Sequence, residues 1–90
     1  MEFPEHFQER MFRRGVTAHE VDETLTNGWP CSDARGEAEC RVQVFPFEAD
    51  WEGRWFAEKE VTVYFKYHRS ELIFVTLKTR YGSGFPRGDR

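Results

Sequence analysis

Ninety residues suffice for one domain with a modest core, and a hydrophobic share of 39% that includes 17% aromatics argues against disorder. The net charge of −3 is unevenly spread: residues 15–60 hold eleven acidic side chains against four basic, whereas residues 61–90 hold six basic against two acidic. No apolar run is long enough to span a membrane, and Met1–Glu5 lacks the basic start and apolar stretch of a signal peptide, so the expected location is cytoplasmic with no membrane partner.

Phe3, Phe7 and Met11 recur every four positions and predict a helix over residues 3–14, with Pro4 tolerated in its first turn. Gly15 fits a left-handed helix end, and Arg13 and Arg14 suit the carbonyl end of the helix. His6, Arg10 and Arg14 form a second stripe beside the apolar one. Thr17-Ala-His-Glu20 reads as a capping box that opens a second helix, with Val16 and Val21 as its staple and Ala18, Val21 and Leu25 as its buried stripe. Asn27-Gly28 stops it. Glu20, Asp22 and Glu23 on this second helix would meet phosphates badly, which argues against a DNA reader.

Trp29–Asp33 reads as a short strand broken at Pro30, and Ala34–Glu39 as a polar turn. Arg41–Ala49 alternates, with Val42 and Val44 on one face and Gln43, Phe45 and Phe47 on the other. Pro46 cannot donate to a strand ladder, which predicts an edge or a bulge there. Asp50–Gly53 is a loop carrying an exposed Trp51, and Arg54–Glu58 is either a short strand or the start of a longer one. Glu60–Tyr67 and Glu71–Arg80, joined by the turn His68–Ser70, form a central hairpin rich in β-branched and aromatic residues. Val61, Val63, Ile73, Val75 and Leu77 are expected to face the helices, and Gln43, Tyr64, Lys66, Thr76, Lys78 and Arg80 to lie opposite. Helices followed by strands predict an α+β domain over residues 1–81, with two N-terminal helices on one face of a four-stranded, mostly antiparallel sheet. Residues 82–90 read as a flexible tail unless something holds Phe85.

Cys31 and Cys40 lie nine positions apart with turn-like residues between them. A bridge across that hairpin is conceivable, but a cytoplasmic protein keeps such thiols reduced, so two free cysteines are expected. His6, His19 and His68 scatter over three elements, and neither a metal site nor another cofactor is expected.

His6-Phe-Gln-Glu-Arg-Met11, then Arg14-Gly15-Val16, then Glu20-Val21 and Leu25 ahead of Asn27-Gly28, resemble the opening of small prokaryotic proteins grouped as domain of unknown function 4258. Val61-Thr-Val-Tyr-Phe65 and Leu72-Ile-Phe-Val-Thr-Leu77 are similar to that family's final hairpin, while Phe45–Ala57 is longer than its pattern. The family is similar in shape to toxins of the RelE and BrnT kind, ribonucleases encoded beside an antitoxin. The resemblance therefore implies a RelE-like fold, RNA as target, an antitoxin as partner and metal-independent endoribonuclease activity.

Cleavage through the 2′-hydroxyl needs a proton acceptor, a proton donor and cations for the developing charge. His6 is the acid/base candidate, imidazole being the side chain that exchanges protons near neutrality. Arg10 and Arg14 on the same helical stripe are candidates to stabilise the phosphate, Lys66, Lys78 and Arg80 to hold the RNA backbone, and Tyr64 or Tyr81 to stack on a base. Each has a plainer reading. His6 would bond a backbone carbonyl, Arg10 and Arg14 would pair with acids or cap the sheet edge, and Lys66 and Lys78 would line a solvated strand face. The competing class is a non-catalytic interaction module. Trp51 and Trp55, with Phe45, Phe47 and Phe56 nearby, have the composition of a protein contact, either a homodimer or an antitoxin cradle.

Overall fold

The computed structural model describes residues 2–90. Helix α1 spans Glu5–Arg14 and buries Phe7 and Met11, as its period predicts. Pro4 stands just ahead of it, where its carbonyl accepts from the Phe7 and Gln8 amides at 3.0 Å. Gly15 ends α1 with φ 71°, the left-handed conformation that glycine adopts without a Cβ clash. A Cβ there would also lie 2.6 Å from the Trp51 ring and 2.7 Å from the Tyr81 hydroxyl, so two independent requirements meet at this glycine.

Helix α2 spans Ala18–Asn27, and its capping box is complete: Thr17 Oγ1 accepts from the Glu20 amide at 3.1 Å and Glu20 Oε1 from the Thr17 amide at 3.0 Å. Its buried side chains are Val21 and Thr24, not the expected Ala18. The Thr24 hydroxyl donates to the Glu20 carbonyl at 2.7 Å, which satisfies it locally and leaves its methyl to pack.

The strands are β1 (Trp29–Cys31), β2 (Glu39–Trp51), β3 (Arg54–His68) and β4 (Glu71–Gly82). They form an antiparallel sheet in the order β1-β2-β3-β4, with the helices packed on one face. Arg54–Glu58 is thus the start of a long β3. The core joins Phe7, Met11, Val16 and Val21 to Val61, Val63, Phe65, Phe74 and Leu77.

The expected phase of β4 is corrected. Tyr64 pairs with Thr76 while Phe65 pairs with Phe74, so Val75 is an extra residue that reverses the alternation. Phe74 therefore reaches the core, at 4.9 Å between centroids from Phe7, and Val75 is 38% exposed. A second irregularity lies in β2 between Pro46 and Ala49, where Glu48 takes φ 48°. Pro46 accordingly marks both an edge and a bulge. Beyond β1 the outer edge of β2 is also blocked at Val44, whose amide donates to the Gln43 side chain at 3.1 Å.

The expectation of two free thiols is also corrected: Cys31 and Cys40 are disulfide-bonded. They are directly paired on β1 and β2, and their Cα atoms lie 5.4 Å apart, within the span that a disulfide bridges. Residues 83–90 form no helix or strand but cross the open face of the sheet. The Phe85 amide and the Arg87 guanidinium donate to Glu58 at 3.0 and 2.8 Å, and the Arg90 amide donates to the Pro30 carbonyl at 3.0 Å. Phe85 is held: its ring lies 5.0 Å beneath the Arg80 guanidinium. No described helix is long and apolar enough to cross a membrane.

Candidate functional site

Because Val61, Val63 and Phe65 face the helices, the alternate residues Glu60, Thr62, Tyr64 and Lys66 of β3 face away from them. The ladder sets Arg80 beside Glu60 and Lys78 beside Thr62 on one side, and Val44 and Val42 on the other. Gln43, expected on this face, pairs with Val61 and belongs to the helix side. The chain after β1 closes one flank and the C-terminal residues another. The result is a pocket of about 440 Å³ floored by Val42 and Thr62 and rimmed by Asp33, Glu60, Tyr64, Lys78, Arg80 and Arg90.

Its charges form two linked groups. Asp33 accepts from the Tyr64 hydroxyl and, at 3.0 Å, from Lys78 Nζ; these bonds, Tyr64 first, hold its carboxyl below the usual range. Burial, and then the neighbouring Asp33, pushes the Tyr64 phenol up, while the bond to Asp33 raises Lys78. The Lys78 ammonium also lies 5.4 Å over the Tyr64 ring. Glu60, buried at 4% exposure, accepts from Arg80 Nε at 2.7 Å, from Arg80 Nη2 at 3.1 Å and from Arg90 Nη1. Burial alone would raise the Glu60 carboxyl, but the bonds from Arg80 and Arg90 outweigh it and the net shift is downward. Three cations thus meet two ionised carboxylates.

The side chains of Lys78 and Arg80 remain 59% and 62% exposed, so each keeps N–H donors toward solvent that an oxyanion could take. The pocket contains no histidine, and no group of three His, Cys, Asp or Glu side chains able to hold a metal occurs among the described residues.

The residues singled out in the sequence fall into separate places. Tyr64, Lys66, Lys78 and Arg80 share the open face. Tyr81 lies on the helix side, stacked on Trp51 at 4.9 Å and 13°, with its hydroxyl donating to the Arg14 carbonyl at 2.6 Å. Burial, followed by Glu20 and Glu52, pushes its phenol up to about 12. Arg10 reaches the sheet edge, where Nε donates to the Leu77 carbonyl at 2.7 Å; His6 and Arg14 are exposed along the same flank of α1. The α1 residues touch β4 at the Leu77 carbonyl and at Tyr81, whereas Lys78, next in the chain to Leu77, lies on the opposite face. Trp51, expected to be exposed, is half-buried against Tyr81 and Gly15, whereas Trp55 is 61% exposed. Asp33, Glu60 and Arg90 were not anticipated. Alternation in β3 was enough to bring Glu60 onto the face of Tyr64, but nothing local in the sequence sets Asp33 or Arg90 against that face.

Comparison with family models, curated protein sequences and solved structures returns no match for this chain.

Proposed function

We propose that this protein is an RNA-directed domain of the RelE-like kind, which grips the RNA backbone with the open face of its sheet and cleaves it without a metal. One observation supports this reading above the others: Tyr64, Lys78 and Arg80, chosen from the sequence as RNA contacts, border a single pocket together with Arg90. Lys78 and Arg80 on β4 keep exposed donors for phosphate, and Lys66 on the neighbouring β3 adds a further cation to that face. A single strand lying across β4 would pass from these cations to the flank of α1. There His6 is the acid/base group, and Arg14 is available to the developing charge. Arg10 positions that flank, since its guanidinium is bonded to Leu77.

Induction in a bacterial host, with soluble levels and RNA integrity followed together, tests this reading. The wild type arrests growth and degrades RNA, and His6→Ala relieves both without loss of fold. Lys66→Ala with Lys78→Ala relieves both through weaker binding. Full growth with abundant soluble wild type and intact RNA would contradict it.

One observation favours a second reading, a non-catalytic interaction module serving a homodimer or an antitoxin. Trp55 exposes 61% of its surface near the tip of the β2–β3 hairpin. On that reading Trp55→Ala lowers the sedimenting mass or abolishes partner binding, and His6→Ala changes nothing.

A further inference from the structure

The disulfide lies at the rim of the pocket. Cys31 is the last residue of β1, Ser32 and Asp33 follow it at once, and Cys40 returns the chain to β2. Residues 32–38 contain no helix or strand, and their one backbone bond outside regular structure is local, from the Ala38 amide to the Arg35 carbonyl at 3.2 Å. Among the described residues Asp33 is the only carboxylate bonded to Lys78, and it also takes the Tyr64 hydroxyl. The position of the group that neutralises Lys78 therefore depends on a loop closed at its base by a bond that a reducing environment opens.

We propose that the Cys31–Cys40 bond is a redox switch on the anion site: oxidised, it holds Asp33 on Lys78 and offsets the charge of that cation; reduced, it releases the loop and leaves the full charge of Lys78 to a phosphate-bearing ligand. The inference rests on the RNA-binding reading above, whose probe it uses. In the switching step a small dithiol attacks one sulfur, the S–S bond breaks through a mixed disulfide, and the two cysteines are left as thiols. The dithiol supplies the two electrons and two protons and departs as its own cyclic disulfide. Three paired residues of β1 remain, at Trp29–Val42, Pro30–Arg41 and Cys31–Cys40, so reduction frees the loop without dismantling the sheet.

The experiment compares oxidised protein, dithiol-reduced protein and the Cys31→Ser/Cys40→Ser variant for binding to a short labelled single-stranded RNA over a range of salt. Reduction and the double substitution are expected to tighten binding roughly 3- to 10-fold and to steepen the salt dependence by about one phosphate contact. Asp33→Asn is expected to bind as tightly when oxidised, with little further gain on reduction. Equal affinity and equal salt dependence of oxidised and reduced protein would overturn the switch while leaving RNA binding intact. Tryptic cleavage after Arg35, read by mass spectrometry, reports the loop without RNA. Faster cleavage in reduced wild-type protein supports the release, and an unchanged rate overturns it even if RNA binding itself fails.

Discussion

Glu58, Lys59 and Glu60 are consecutive charged residues of β3, and all three are held, on alternating sides. Lys59 points to the helices, is 4% exposed, and donates to the Gly15 carbonyl at 2.8 Å and to Glu20 at 2.8 and 2.9 Å, with the Phe47 ring 5.2 Å away. Lys59→Ala strands Glu20 and opens a gap beside Phe47. Chemical denaturation should show a loss of about 3 kcal/mol, and Lys59→Met, which keeps the packing stem, a smaller one. Glu60 points the other way. Its lowered carboxyl gives stability that is fully present above the ordinary value of 4.5 and lost as pH falls through the lower folded value. Thermal melts from neutral pH downward should therefore show a steeper acid loss for wild type than for Glu60→Gln. Gly15 was legible as a helix end from its place after Arg14. Its second role, admitting the Trp51 ring, was not, because the contact joins residues far apart in sequence. Gly15→Ala should cost about 2–4 kcal/mol, strain and overlap together.

The same contrast between local and distant information governs the elements. Both helices, the capping box and the β3–β4 hairpin follow from patterns contained within each segment, and the sequence showed them. The face of β4 did not, since a period of two cannot register the one inserted residue at Val75. Ile73, Val75 and Leu77 look like one stripe, but the bulge exchanges Phe74 for Val75 in the core. Phe74→Ala should accordingly destabilise by about 3–5 kcal/mol and Val75→Ala by under about 1 kcal/mol, a difference that equilibrium unfolding resolves. Reversed values would restore the uninterrupted alternation. The sheet edges carry their own protection: Pro46, the occupied Val44 amide and the Glu48 bulge interrupt β2, and Arg10 covers the Leu77 carbonyl of β4.

At the scale of the molecule, two helices on one face leave the other face to the strands' alternate residues, and the loop after β1 and the C-terminal residues fold onto it. Helix-then-strand order made the α+β class readable. Asp33 and Arg90 were not readable as site residues, because each reaches the pocket from an irregular segment whose path only the assembled sheet defines. The uneven charge of the sequence acquires a place here, as the basic C-terminal third supplies Lys66, Lys78, Arg80 and Arg90 to one face. Whether that face holds RNA is tested most directly by measuring affinity for single-stranded RNA against salt concentration, with wild type beside Lys66→Ala/Lys78→Ala under reducing conditions. The account predicts weaker binding by the double variant for every sequence tried, and a salt dependence shallower by about two phosphate contacts. Identical salt dependence for the two proteins, or no binding by folded wild type, would contradict it.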